Sequence, residues 1–386
     1  GVYNSGAPLP SGNLNYQGDI WMDINGGAFG IIAGGVTNEW NTNLQTSTLT
    51  GDTHVQLSGD ATAEHVIGGN NKGASTTLTG NTNVTVKDNA IVAGAIIGGS
   101  TSAHNAVTTI TGNTSVLVTN VQYSNTAQNL DGGLSNSYII GGSSWSSNTT
   151  SETTIQGSTS ATINLNGITL SGTEEHNSFV KTIIGGSYGN VNNAGTVNNI
   201  NGDTSVSIIG REGITFTGDI IGGSFENSGQ AQYTIGGNSS ISISGGSTFT
   251  GNIYGGSYSK VPGNTGSTMT TAGNITVELG TGAYRGNIYG AGNKGTAGGD
   301  VLVSLTGGSV FGAEGEQSGI TIGGSAGAAV EGNRTLELKG TFGTGDFQNV
   351  TFTRFDEINI AQEGASATIY ALTDSPALTK TGAGTL

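Results

Sequence analysis

The chain has 386 residues, of which 33% are hydrophobic and only 10% are charged, and its formal net charge is −15. Eleven lysines and arginines spread over this length cannot form the basic stripe that a phosphate backbone requires, which excludes a nucleic-acid partner. The polar remainder is mostly Gly, Ser, Thr and Asn with little charge, so the composition favours ordered, polar-faced β-structure over disorder.

Residues 1–17 are predicted to form an N-terminal cap region. Pro8 and Pro10 lie in this segment, and proline has no backbone N–H to donate to a further strand. A segment of this kind suits a blunt end of a stacked β-structure.

Residues 18–338 contain a repeated register. A leading glycine is followed by inward-type residues two, four and six places on, as Gly80 is followed by Thr82, Val84 and Val86. A second landmark is a Gly-Gly pair after two β-forming residues, as in Ile96-Ile97-Gly98-Gly99. The leading glycines lie 26 to 45 residues apart, at Gly18, Gly51, Gly80, Gly112, Gly157, Gly202, Gly237, Gly273, Gly299 and Gly332.

Each unit is predicted to hold three short strands, with corners at Gly-Asn or Gly-Asp and at Gly-Gly. The corners are expected to need glycine because a sharp turn often takes positive φ. Units running head to tail stack as an all-β, single-stranded parallel β-helix, a solenoid of about 10 to 12 rungs. Crossovers between parallel strands are right-handed, so we predict a right-handed coil and one elongated domain over residues 1–386.

Residues 339–386 are predicted to form denser rungs without the Gly-Gly landmark. The segment ends in Leu378-Thr379-Lys380-Thr381-Gly382-Ala383-Gly384-Thr385-Leu386. This ending resembles the passenger-associated transport repeat of bacterial autotransporters, the type V secretion proteins. The glycine-rich repeat before it also resembles an autotransporter passenger domain.

The resemblance implies a secreted passenger displayed at the surface of a Gram-negative bacterium. It further implies that membrane attachment comes only through a C-terminal β-barrel outside these 386 residues, with Leu386 inside a longer chain or at a processing point. The chain contains no cysteine, so no cross-links hinder threading of the unfolded chain through a narrow pore.

An aromatic column supplies the candidate binding residues. Tyr188, Phe225 and Tyr258 stand two places after the Gly-Gly pair on consecutive units, and Trp145 stands three places after the pair on the unit before. Facing outward, these rings would form a strip some 15 Å long, at about 4.8 Å per rung, suited to sugar rings or a protein partner. The alternative is an internal aromatic stack beneath a loop.

Two further features lie on the outside of the predicted rod. Long excursions between Val118 and Tyr138 and between Leu165 and Thr182 are expected to project as recognition loops. Paired threonines flank an inward apolar residue on three successive units and are expected to face solvent, at Thr48 and Thr50, Thr77 and Thr79, and Thr109 and Thr111. Such an array is also seen in insect-type ice-binding β-helices, which makes ice binding a minor alternative.

Catalytic motifs are interpreted as products of the repeat. Residues 185–189 and 323–327 both fit Gly-x-Ser-x-Gly, but a nucleophile elbow needs a strand-to-helix turn and a partnered histidine. The four histidines, His54, His65, His104 and His176, do not have the spacing of metal ligands. His54 is expected to point outward from its strand.

Adjacent carboxylates do not form an expected acid and base pair either. Neighbouring residues on a strand face opposite ways, and we expect no Arg or Lys in a shared groove with them. The pairs are Glu174 with Glu175, Glu314 with Glu316, and Asp356 with Glu357. The calcium-binding Gly-Gly-x-Gly-x-Asp nonapeptide is missing from the sequence. No cofactor and no metal are therefore predicted.

The sequence favours a non-catalytic, surface-displayed adhesin or self-association module. Its partners would be a host or bacterial surface glycan, a surface protein, or a second copy of itself, bound through polar ladders and projecting loops. One alternative is a β-helix enzyme that degrades glycans. Another is a structural stalk that carries a functional domain outside this segment.

Overall fold

The computed structural model describes residues 12–36, 44–71, 75–102, 106–119, 138–145, 150–167, 178–179, 181–190, 195–227, 230–260, 268–312, 319–360, 362–375 and 379–386. All 44 regular elements in these residues are β-strands, and they pair in parallel from one rung to the next. The prediction of an all-β parallel β-helix is confirmed. Handedness stays a prediction.

Three long sheets run along the rod. Sheet 1 has ten strands: Gly12–Gln17, Leu44–Thr50, Ser75–Thr79, Val107–Ile110, Glu152–Ile155, Val197–Ile200, Gln232–Ile235, Thr268–Thr271, Thr296–Ala297 and Ala329–Val330. Sheet 2 has twelve: Ile20–Ile24, Thr53–Leu57, Thr82–Lys87, Thr114–Thr119, Thr159–Asn164, Thr204–Ile209, Ser239–Ser244, Ile275–Leu279, Val301–Thr306, Arg334–Lys339, Glu357–Asn359 and Thr379–Thr381. Its strand count places twelve rungs in the described residues, within the predicted range.

Sheet 3 also has twelve strands: Ala28–Ala33, Thr62–Ile67, Ile91–Val92, Ile96–Ile97, Tyr138–Ile140, Thr182–Ile184, Ile220–Ile221, Ile253–Tyr254, Ile288–Ala291, Ile320–Ser325, Val350–Thr353 and Ala371–Thr373. Ribbon a lies between sheets 2 and 3 in chain order and has five strands: Ser178–Phe179, Thr215–Phe216, Thr248–Phe249, Ala283–Tyr284 and Val310–Phe311. Ribbon b follows sheet 3 with five more: Thr101–Ser102, Ser144–Trp145, Tyr188–Gly189, Phe225–Glu226 and Tyr258–Ser259.

The main core is a stack of like residues between sheets 2 and 3. Val84 pairs in register with Val116, and Ile96 pairs with Ile139, as the period-two pattern predicts. All four are buried in one continuous apolar cluster. Burial of this column is the main favourable term that offsets the ordering of so long a chain.

Ribbon a adds a ladder of aromatic rings inside the same core. The five rings are Phe179, Phe216, Phe249, Tyr284 and Phe311, and consecutive ring centroids are 4.9–5.5 Å apart. Stacked pairs of this kind contribute about 0.5–1.5 kcal/mol each beyond the area they bury. Sequence reasoning missed this ladder. Its signal was an aromatic residue four places before the Ile of the Gly-Gly landmark, as with Phe216 and Ile220.

A ladder of polar side chains follows each leading glycine. On each rung the side-chain oxygen accepts a hydrogen bond of 2.7–3.0 Å from the backbone N–H of its counterpart on the next rung. Its members are Asp19, Asp52, Asn81, Asn113, Ser158, Asp203, Asn238, Asn274, Asp300 and Asn333. The ladder explains why the repeat places Asn or Asp at this corner.

The Gly-Gly corners are held by two buried hydroxyl ladders. An inward Thr or Ser of sheet 2 donates to the carbonyl of the first glycine, as Thr114 does to Gly141 at 2.5 Å. The serine after each glycine pair accepts from the backbone N–H of the previous rung at 3.0–3.2 Å, at Ser100, Ser143, Ser187, Ser224 and Ser257.

Close approach, rather than positive φ, explains most of the leading glycines. Only Gly18, Gly51 and Gly80 of the ten have positive φ, so that part of the prediction is wrong for the other seven. At Gly112 a Cβ atom would lie 2.3 Å from the carbonyl oxygen of Gly80. Neighbouring rungs therefore leave no room for a side chain there.

Within the described residues after Val330, the rungs have no strand in sheet 1 and are therefore shorter. Sheet 1 ends at Ala329–Val330, whereas sheets 2 and 3 each continue. Arg334 and its partner Asp356 on the next rung are 22 residues apart, below the spacing of the repeat. The denser apolar pattern after Leu338 thus corresponds to rungs of two sheets rather than three.

Candidate functional site

The predicted aromatic column lies at the start of the ribbon b strands. Tyr188 pairs with Phe225, and Phe225 pairs with Tyr258. Trp145 is one position out of this column, because its backbone pairs with Gly189 while Ser144 pairs with Tyr188. The side chain of Trp145 lies outside the described residues.

These rings belong to an outer aromatic cluster, which also contains the second isoleucine of three sheet 3 strands, Ile140, Ile184 and Ile221. Its rings are Tyr138, Tyr188, Phe225, Tyr254, Tyr258 and Tyr289. Successive centroids are 4.2–5.7 Å apart. Tyr188 and Phe225 are each 6% exposed, whereas Tyr258 and Tyr289 are half-buried. The accessible part of the cluster is therefore its C-terminal end, and its role in binding stays a prediction.

Two phenols of this cluster, those of Tyr138 and Tyr254, have a raised pKa. Burial raises the pKa of Tyr138 far above its usual range, and a hydrogen bond with Tyr188 raises it further. Burial likewise raises the pKa of Tyr254, with smaller contributions from Tyr258 and Asp219. The hydroxyls of Tyr138 and Tyr254 are therefore neutral.

The outer face of sheet 1 is a second candidate surface. The predicted threonine pairs do face outward, and register extends the first column to eight rungs: Thr48, Thr77, Thr109, Thr154, Asn199, Thr234, Thr270 and Thr296. These residues are exposed or half-buried. The ten strands of sheet 1 contain one charged residue, Glu152. The result is a polar face that carries almost no charge.

A stacked pair at the N-terminal end was missed from the sequence. The Trp21 ring lies on the His54 ring with centroids 3.8 Å apart and planes 10° apart. Trp21 is 72% exposed, and His54 faces outward as predicted. Equal offsets from Gly18 and Gly51 were the signal for this contact.

The two serine motifs have no accessible nucleophile. Ser187 is fully buried, and its Oγ accepts from the backbone N–H of Ser143 at 3.1 Å within the serine ladder. Ser325 is buried and donates to the carbonyl of Ala328 at 2.7 Å. His65 accepts from the backbone N–H of Ala95. His104 and His176 lie outside the described residues.

Asp356 corrects one expectation. It forms a two-pronged ion pair with Arg334, at 2.8 Å from Nε and 2.6 Å from Nη2, so the prediction that it has no cationic partner is wrong. These hydrogen bonds hold the pKa of Asp356 below its usual range. Glu174, Glu175, Glu314 and Glu316 lie outside the described residues, as do most of the two excursions.

Within the described residues, no group of three or more His, Cys, Asp and Glu side chains is placed to hold a metal ion. The same residues contain no helix long and apolar enough to cross a membrane. Comparison with protein-family models, curated proteins and solved structures found no match to this chain.

Proposed function

We propose that the chain is a non-catalytic, surface-displayed passenger that acts as an adhesin or self-association module through the outer face of sheet 1. The C-terminal likeness to the autotransporter transport repeat supports display at the surface of a Gram-negative bacterium. The nearly uncharged face of sheet 1 is the observation that carries the binding role.

Charge is the physical reason for choosing this face. A molecule with net charge −15 repels a second copy of itself and other acidic surfaces. The strands of sheet 1 contribute only Glu152 to this charge, so this face itself adds little to the repulsion. A second copy or a neutral glycan can approach it without an electrostatic penalty.

The shape of the face suits many weak contacts. Eight rungs at about 4.8 Å give a column roughly 35 Å long, with hydroxyl and amide groups repeated along it. Each such hydrogen bond contributes little against water, about 0.5–1.5 kcal/mol. Many copies on one cell surface raise the effective strength by multivalency. The half-buried ends of Tyr258 and Tyr289 offer a separate, smaller stacking surface.

A charge-insertion experiment tests the face. Three glutamates replace threonines of the column in one variant: Thr77→Glu, Thr109→Glu and Thr154→Glu. A matched control carries the same three charges on the outer face of sheet 2: Ser160→Glu, Ser205→Glu and Ser240→Glu. Sedimentation velocity measures self-association, and a glycan array measures glycan binding.

We expect the sheet 1 variant to lose association or glycan retention at least tenfold, while the control keeps it. Equal loss in both variants would show a general charge effect and overturn the assignment of the face. If neither the parent nor the control self-associates and neither retains a glycan, the structural-stalk alternative is favoured. New reducing ends from a polysaccharide panel would contradict a non-catalytic role.

A further inference from the structure

Trp21 is the most exposed of the large apolar side chains in the described residues. It is 72% exposed, although one face of its ring lies on the His54 ring, with centroids 3.8 Å and planes 10° apart. In the described part of the chain sheet 2 begins with the strand of Trp21, and the strand of His54 follows it. The other face of the indole therefore points away from the next rung and into solvent. Since water is a poor environment for an open indole face, this face is a candidate contact for a ligand.

Two exposed carboxylates flank Trp21 on its own segment of the chain. Asp19 lies two residues before it, in the corner, and Asp23 lies two residues after it. Asp23 and Trp21 belong to one strand, so the period of two places both side chains on the outer face of sheet 2. Two residues of extended chain span at most about 7 Å, so a cationic group stacked on the indole is within reach of both carboxylates.

Each of these carboxylates is oriented through one of its oxygens. Asp19 Oδ1 accepts from the backbone N–H of Asp52 at 2.9 Å, and Asp23 Oδ1 accepts from Gln56 Nε2 at 2.9 Å. Among the described residues neither aspartate forms an ion pair. Their negative charges are therefore held in place beside the ring without being compensated.

The charge of the surrounding sequence has the same sign. Residues 1–71 contain neither lysine nor arginine, and their acidic residues are Asp19, Asp23, Glu39, Asp52, Asp60 and Glu64. The first basic residue after the two aspartates is Lys72. A negative potential at this end of the chain attracts a cation and disfavours an anionic ligand.

A guanidinium is the cation that this geometry fits best. It is planar, so it stacks on a flat, open indole face while its N–H groups donate to carboxylates beside the ring. A quaternary ammonium has no N–H to donate and is typically held in a cage of several aromatic rings. The ammonium of lysine is compact and strongly hydrated, so it gains less from one exposed ring face.

We propose that Trp21, Asp19 and Asp23 form a docking site for an arginine side chain of a partner protein. Complementary charge brings the partner to this end of the rod, and stacking on the indole selects arginine over lysine. The site lies on the outer face of sheet 2 and does not depend on the face of sheet 1, so either can fail a test while the other passes.

Peptide binding to the whole chain tests the site. The probes are dye-labelled Arg-Gly-Gly and Lys-Gly-Gly repeat peptides of the same length and charge, and fluorescence anisotropy measures their affinities. We expect the arginine peptide to bind at least about fivefold more tightly than the lysine peptide and to weaken as salt is added. Arginine amide should displace it at a lower concentration than choline does.

Two variants identify the contacts. Trp21→Ala removes the ring face at an exposed position. The double variant Asp19→Asn with Asp23→Asn removes both charges and keeps the acceptor oxygens, since asparagine fills the same role at other corners. Each variant should weaken the arginine peptide at least about fivefold.

Matched controls lie in the same part of the chain. Phe29→Ala removes another exposed aromatic ring of the first rung. Asp60→Asn with Glu64→Gln removes two exposed carboxylates that are not beside Trp21. Both controls should keep at least half of the parent's affinity for the arginine peptide.

The indole N–H resonance of Trp21, assigned from its loss in Trp21→Ala, should shift when the arginine peptide binds. Equal affinities for the two peptides that Trp21→Ala leaves unchanged would overturn the proposal and show only a general attraction to an acidic rod. A neutral glycan retained through Trp21 by the double aspartate variant would overturn it in favour of a sugar platform. Tighter binding of choline than of arginine amide would overturn it as well.

Discussion

Asn113 accepts a hydrogen bond of 2.8 Å through its side-chain oxygen from the backbone N–H of Ser158 on the next rung. Its own N–H donates to Asn81 Oδ1 at 2.9 Å. The corner is thus a relay: at each rung a side-chain oxygen, in place of a backbone carbonyl, accepts the hydrogen bond from the backbone N–H of the next rung. Asp52, Asp203 and Asp300 do the same at equivalent corners.

Replacing Asn113 tests the corner relay. Asn113→Ala removes the acceptor for Ser158 and should lower the free energy of unfolding by about 1 kcal/mol. Asn113→Asp should cost much less, because aspartate already fills the same role on other rungs. Urea unfolding measures both, and Gln156→Ala, an exposed change outside the ladder, is the control. Equal losses for Ala and Asp would contradict the relay.

The inward hydroxyl of Thr114 can be tested in the same way. It donates to the Gly141 carbonyl at 2.5 Å inside the core. Thr114→Val keeps the shape and leaves this carbonyl without its donor, so we expect a loss of about 1–3 kcal/mol. Thr114→Ser should retain most of the stability, since Ser239 makes the equivalent bond to Gly255. A Val variant as stable as the Ser variant would show that the hydroxyl is dispensable.

Gly141 itself should not tolerate a side chain. A Cβ atom there would lie 2.5 Å from the Gly185 carbonyl oxygen and 2.8 Å from the Ser160 backbone. Both neighbours are main-chain atoms held in parallel sheets, so neither can rotate away. Gly141→Ala should therefore cost on the order of 4 kcal/mol or prevent folding. Gly30→Ala is the control, because no atom lies within 4 Å of its Cβ position.

The fold could be predicted because two independent sequence signals mark each repeat: the alternation of apolar residues and the residues at the corners. The pairing of Val84 with Val116 and of Ile96 with Ile139 follows directly from the leading glycine and the Gly-Gly pair. The physical reason why the leading positions require glycine could not be predicted from the sequence. Positive φ and close approach both select glycine, and only the spacing between rungs shows that Gly112 faces the Gly80 carbonyl.

The surfaces were harder to predict than the core. Successive residues of ribbon b point to opposite sides. Trp145 lies one position away from the Tyr188 column, and only the strand pairing shows which residue it pairs with. Burial of Tyr188 and Phe225 depends on packing against sheet 3 residues such as Ile184 and Ile221, which lie elsewhere in the sequence. Ion pairs across rungs, such as Arg334 with Asp356, depend on the length of the rung between them.

Lys181 gives a prediction for pH. Its side chain is 5% exposed, and its Nζ donates to the Gly94 carbonyl at 2.5 Å and to the Ala93 carbonyl at 3.3 Å. Burial lowers the pKa of this amine from 10.5 to about 7. Between these two values the unfolded chain binds a proton that the folded chain does not. Stability therefore rises with pH in this window, and the penalty of burial is complete below pH 7.

The free energy of unfolding should increase by up to about 1.4 kcal/mol per pH unit between pH 7 and 10, measured by urea unfolding at constant ionic strength. Lys181→Met removes the titrating group and should flatten this slope while stabilising the chain at pH 7. Lys260→Met, a change at an exposed lysine, should keep the slope of the parent. The prediction is contradicted if Lys181→Met keeps the parent's slope of unfolding free energy against pH. The carbonyls of Gly94 and Ala93 would then hold the amine protonated in the folded rod, because a charged ammonium releases no proton on folding.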